Sequence, residues 1–211
     1  MTDTPSVTTV VVGDRLPWPD DASAVADTGP FDAAAIYHGT ERRHCVVRKI
    51  SALGVTIGGE LSAALGEKVA VELASGQRLS GEIAWSGLRE LGVRFDDTID
   101  VIALLNRNLV SQDRERRTMP RLEVRCPVHV KSGEHFCPAT LRNISARGLQ
   151  LEGEGLPAIG TYVSVFVEGL IIPPGEVVWR RDKLAGIEVF EELSWTSIIP
   201  WVRTVVKQGA N

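Results

Sequence analysis

The sequence predicts a mainly β protein, built as two tandem six-stranded antiparallel β-barrels, each followed by a short α-helix. Three observations predict this: an internal repeat at one fixed offset, short runs of alternating apolar and polar residues, and glycines spread evenly between those runs. Sliding the chain by 94 residues lays the first half on the second without a gap over about forty positions. Ile50-Ser51-Ala52-Leu53-Gly54 falls on Ile144-Ser145-Ala146-Arg147-Gly148, and Gly81-Glu82-Ile83-Ala84-Trp85 falls on Gly175-Glu176-Val177-Val178-Trp179. Gly66 meets Gly160, and Gly92 meets Gly186. Two copies at this period are two domains of one fold, since solenoid repeats are shorter and more numerous.

Residues 1–32 carry six aspartates against one arginine and are punctuated by Pro5, Pro17, Pro19 and Pro30. Such a stretch buries little apolar surface, so a flexible acidic tail is expected. Trp18 and the Val10–Val12 run are its exceptions, suited to dock as a strap on the folded part. The first copy spans 33–110 and ends in a helix-like segment, Thr98–Leu109, with Ile99, Ile102, Leu105 and Leu109 on one face. An arginine-rich linker, 111–122, leads into the second copy, 114–207.

In the second copy, Leu122, Val124, Cys126, Val128 and Val130 alternate with Glu123, Arg125, Pro127, His129 and Lys131, the pattern of a strand with one buried face. Lys131-Ser132-Gly133-Glu134 reads as a hairpin turn. Strands are expected at 135–143, 148–152, 161–167, 175–180 and 185–190. Closure into a barrel removes exposed edges from such short strands. A helix follows at Trp195–Lys207, with Pro200 marking its start or a kink. Trp85 and Trp179 recur in both copies and read as barrel packing, while Trp195 and Trp201 anchor the last helix.

With 211 residues and a net charge of −4, the chain carries no global basic field for nucleic acid or anionic membrane. Cys45, Cys126 and Cys137 are too scattered for a disulfide framework or a metal site, and suit a reducing cytosol. The Thr8–Val12 run is too short for a signal or a span. The four histidines lack metal-ligand spacing, and neither a nucleophile elbow nor a phosphate loop is present. A cytoplasmic protein without catalytic activity, cofactor or membrane span is expected.

Two elements carry chemistry. Arg114, Arg116, Arg117 and Arg121 lie within eight residues of an acidic protein and form a local anion trap. Guanidinium forks bind phosphate bidentately and lie flat on purines. Read alone, the cluster is equally a solvated linker. The second element, Asn143-Ile144-Ser145-Ala146-Arg147-Gly148, puts an amide and a hydroxyl on one side of the chain, ahead of a glycine that permits a positive φ or close backbone approach. Read alone, those residue types are also ordinary turn formers.

Together, Arg-x-x-x-Arg (Arg117, Arg121) followed by Asn-x-Ser-x-x-Gly (Asn143, Ser145, Gly148) resembles the PilZ family of cyclic di-GMP receptors, over about residues 114–205. The resemblance implies a six-stranded barrel with an arginine-bearing segment that wraps over the ligand. It implies that Arg117 and Arg121 grip phosphate and guanine, that Asn143 and Ser145 read guanine edges, and that Gly148 gives room for the base. Arg116, just before the first motif arginine, is associated in the family with two stacked cyclic di-GMP molecules per domain, and Arg114 and Arg147 would add phosphate contacts. The first copy is a degenerate PilZ-like domain: the positions matching Arg117 and Arg121 are Ser23 and Asp27, and Asn143 maps to Lys49, although Ser51 and Gly54 persist. Losing two charge-assisted contacts removes about 3–6 kcal/mol, or a hundredfold or more in affinity. The expected function is a second-messenger receptor or adaptor, with an unknown protein partner engaged through the first domain. The rival reading is a protein-interaction module of the same fold without ligand. Nucleic acid is disfavoured, since no aromatic stacks lie in 114–121.

Overall fold

The computed structural model describes residues 9–12, 15–18, 34–59, 62–105 and 120–209, with the side chains of the last helix described through 205. The chain is mainly β and divides into two units, Met1–Arg121 and Leu122–Asn211.

The second unit contains β8 (Arg121–Ser132, whose first residue closes the preceding unit), β9 (His135–Ile144), β10 (Gly148–Glu152), β11 (Tyr162–Phe166), β12 (Gly175–Arg181) and β13 (Leu184–Val189). Every pairing is antiparallel, and the ring runs β8–β9–β10–β13–β12–β11. It closes where β11 returns to β8, with Ser164 opposite Lys131, Val165 opposite Val130 and Phe166 opposite His129. This is a closed six-stranded barrel. Alternation drives it: Val124, Cys126, Val128 and Val130 point inward and are buried, while Arg125, Pro127, His129 and Lys131 are exposed. Gly133 has φ 57° and makes the β8–β9 turn.

The barrel interior also holds Leu141, Ile144, Leu151, Val163, Val177 and Ile187. Helix α1 (Trp195–Gly209) covers the core with Ile198, Ile199, Trp201 and Val202. Ser194 caps its start: the Ser194 hydroxyl accepts from the Thr196 amide at 3.2 Å, and its carbonyl accepts from Ile198 at 3.0 Å. The Trp201 indole donates to the Glu168 carbonyl at 2.8 Å, so its one polar atom is satisfied as the ring is buried. Pro200 does not mark the start; it lies inside the helix on the exposed side.

The first unit has β1 (Thr9–Val11), β2 (Ala34–His38), β3 (Glu41–Ile50), β4 (Gly54–Gly58), β5 (Lys68–Glu72), β6 (Arg78–Ser86) and β7 (Glu90–Phe95). Antiparallel pairings run β3–β2–β5–β6–β7–β4 and return from β4 to β3. Helical residues 101–105 follow, so the helix begins after Thr98 and Ile99; Ile102 and Leu105 are buried, but so are Val101 and Leu104, and Leu109 lies outside the described residues. Thr9–Val11 lies parallel to β3, with Val10 opposite Ile50 and both Val10 and Val11 buried. Residues 15–18 also pack, through Pro17 and Trp18.

Two expectations are corrected by packing. Glu123 has the outward phase of β8, yet only 6% of it is exposed, because β8 shifts register between Glu123 and Cys126. Trp179 is not core: it remains 37% exposed, just past a register shift between Val177 and Trp179. Its counterpart Trp85 is half-buried.

Two outcomes follow from this packing. Trp201→Ala should lose about 3–5 kcal/mol in denaturant unfolding, since a large ring leaves the core. Burial pushes the Cys45 thiol up to about 12 and the Cys126 thiol up to about 11. Under native conditions at mildly alkaline pH, half-buried Cys137 should therefore alkylate first, with Cys45 and Cys126 modified only on unfolding, as peptide mass mapping would show.

Candidate functional site

The β9–β10 connection brings the polar motif together. Ile144 and Ala146 are fully buried, so Asn143 and Ser145 share the opposite, outward face. The Ser145 amide donates to the Gly148 carbonyl at 2.9 Å, and its hydroxyl donates to the same oxygen at 3.3 Å. That doubled contact locks the turn. In the first unit the Ser51 amide donates to the Gly54 carbonyl at 2.9 Å, and the Ser51 hydroxyl accepts from the Leu53 amide at 3.1 Å. The serine thus shapes the turn in both units, and only its outward placement is available for recognition.

Gly148 does not adopt a positive φ. A Cβ there would lie 2.5 Å from the Ile187 carbonyl oxygen of β13, so neighbouring backbone, not a ligand ring, occupies the side-chain space. Strand packing therefore requires a glycine at this position before any ligand is considered. The Gly54 position is crowded by the Val93 carbonyl in the same way.

Asn143 lies opposite Gln150 on β10 and opposite Glu123 on β8, and its Nδ2 donates to the Gln150 Oε1. Gln150 in turn pairs with Gly186 on β13, which faces Trp179 on β12. These five residues form one row across five strands. The Trp179 indole lies directly on Gly186, where a Cβ would come within 2.6 Å of its Cδ1. Gln150 and the buried Glu123 belong to this row although the sequence pattern did not single them out, and Trp179 joins it as a half-open ring. Their signal is cross-strand register, which no linear motif encodes.

Arg121 opens β8 one residue before the Leu122–Ile144 pair, so its backbone reaches the end of the ladder where the Ser145 turn begins. Its surface is exposed, yet enough protein surrounds the guanidinium for burial to lower its pKa from the ordinary arginine value. It stays cationic at physiological pH, as arginine does throughout proteins. Arg147 is exposed and donates to Glu192 at 2.6 Å. An exposed pair of this kind contributes about 0–1 kcal/mol, so the guanidinium is easily recruited elsewhere. Arg114, Arg116 and Arg117 lie outside the described residues. Among the described residues, no helix is long and apolar enough to cross a membrane.

Residues 115–198 match the family model of the PilZ domain. No curated protein matches the chain. Among solved structures, the chain is similar to the Borreliella burgdorferi PlzA protein in complex with c-di-GMP, at 12% identity and a TM-score of 0.33, covering 82% of this chain and 86% of that one. It is similar to the Bacillus subtilis inhibitor of motility MotI/DgrA at 14% identity and a TM-score of 0.30, covering 86% and 98% respectively. The Escherichia coli YcgR protein in complex with c-di-GMP gives 11% identity and a TM-score of 0.24, covering 84% and 83%.

Because Gly148 is crowded by backbone, Gly148→Ala should cost about 1–3 kcal/mol of stability even without ligand. Chemical denaturation of the ligand-free protein checks this; an unchanged midpoint would show that the neighbouring carbonyl does not require a glycine there.

Proposed function

We propose, from the match of residues 115–198 to the PilZ domain, that the chain is a cyclic di-GMP receptor that acts as an adaptor in second-messenger signalling. The observation that carries this reading is the span of the family match, which takes in Arg116, Arg117, Arg121 and the Asn143–Gly148 turn together. The chemistry agrees. Cyclic di-GMP offers two phosphates to guanidinium groups and two flat guanines to polar edges and stacking surfaces. Arg117 and Arg121 grip phosphate and guanine, Asn143 and Ser145 read guanine edges, and Arg116 supports a second, stacked nucleotide. Arg114 and Arg147 add outer phosphate contacts. Capture draws the 111–122 segment onto the barrel and changes inter-domain arrangement or partner binding. The protein acts by binding, in the cytoplasm, and not by catalysis.

The first unit is read as a degenerate barrel of the same kind, used for a protein partner. Three features support this reading. Its strands pair in the same cyclic order as those of the second unit. Gly66 and Gly160 hold matching positive φ values of 85° and 82°. Both units shift register just before the repeated tryptophan, at Trp85 and Trp179. Lys49 replaces the recognition amide, and the motif arginines have no cationic counterpart.

Calorimetric titration with cyclic di-GMP, beside GTP and an oligonucleotide, tests the proposal. Saturable heat is expected with the cyclic dinucleotide alone, weakened about 10–150-fold by Arg117→Ala or Arg121→Ala, since each contact contributes about 1.5–3 kcal/mol. The ratio should approach two nucleotides per chain and fall toward one in Arg116→Ala. No heat with cyclic di-GMP, or equal heat with oligonucleotide, would sink the reading.

A further inference from the structure

We propose that the first unit contains a built slot for one flat aromatic ring, between Gly92 and Trp85, and that the chain fills it in cis with the Trp18 indole. The inference rests on the first unit and is independent of ligand binding by the second.

The floor of the slot is bare backbone. A Cβ on Gly92 of β7 would come within 2.7 Å of Trp18 Cε3, so the ring rests where any other residue would put a side chain. One wall is Trp85 of β6, stacked on Trp18 with ring centroids 6.4 Å apart and planes 22° apart. That separation lies within the range of favourable offset stacking. The rim is Thr56 of β4, only 1% exposed, whose hydroxyl donates to the Pro17 carbonyl and holds the backbone entering the ring. Register makes these parts neighbours: Thr56 lies opposite Gly92, and Gly92 lies opposite Trp85.

The second unit shows that the seat is architectural and the occupant is not. Its corresponding row is Gln150, Gly186 and Trp179, and there the strand's own Trp179 lies on the glycine. In the first unit Trp85 lies instead against Gly87, where a Cβ would come within 2.7 Å of its Cη2. The seat on Gly92 is thereby left for a ring brought from elsewhere in the chain. A side-chain-free floor, an indole wall and a buried hydroxyl that donates outward suit a planar heteroaromatic ring beside a hydrogen-bond acceptor. The segment 15–18 supplies both, as Trp18 and the Pro17 carbonyl. The first unit is thus closed to any stacked base by occupancy, besides lacking the motif arginines.

Chemical rescue tests this on the full chain. Trp18→Gly should melt below the wild type, bind free indole saturably at one site, and recover part of the lost melting temperature; the wild type should show neither binding nor recovery. Indole binding to both proteins alike, or none to a folded Trp18→Gly, would overturn the slot. A second variant covers loss of folding. Gly92→Ala fills the floor and should abolish the near-ultraviolet and exciton circular dichroism of the Trp18–Trp85 pair, whereas a wild-type spectrum from Gly92→Ala would equally overturn the proposal.

Discussion

The return of β11 to β8 is the constraint on which the rest of the second unit depends. Three consecutive pairs close the ring, and with them every strand gains neighbours on both sides. Closure reduces the strand edge open to another chain. It also assigns each side chain to the interior or the exterior by its phase. Once Ile144 and Leu149 are inside, Asn143, Ser145 and Gln150 have nowhere to go but out. The polar surface is a consequence of closing an apolar interior.

Closure has a steric cost that glycine meets. At Gly148 and Gly54 the adjacent strand's carbonyl occupies the space of a side chain, and Gly175 and Gly81 are crowded in the same way by the carbonyls of Glu188 and Arg94. The repeated glycines therefore record how closely backbones approach in each unit. This divides the Asn-x-Ser-x-x-Gly motif into two functions. The turn-building serine and glycine persist in both units, while the residue at the Asn143 position does not, being Lys49 in the first.

Aromatic rings show the same separation of seat from occupant. Gly186 carries Trp179, a residue of the same sheet, whereas Gly92 carries Trp18, which lies far away in sequence. The bare glycine surface is what the two share, and stacking fills it from whichever side a ring can reach. An N-terminal piece with few apolar residues thus becomes ordered at Val10, Val11 and Trp18, where each meets a prepared apolar surface.

By itself, the sequence determined the mainly β class, the strand positions of the second unit, the terminal helix and the polar turn. Period-two alternation and glycine spacing are local signals, and local signals survive in a linear string: Val124 to Val130 alternate on the page as they do in the barrel. Tertiary structure alone decided that Glu123 is buried, that Ser145 folds back on its own turn, that Gln150 joins Asn143, and that Trp179 stays half-open on Gly186. It also decided that Trp18 lies on the first unit. Each of those outcomes depends on which residue a neighbouring strand places opposite, and a register shift of one position sends a side chain to the other face. Cross-strand register is a property of closure, and so it is set only when the chain has folded.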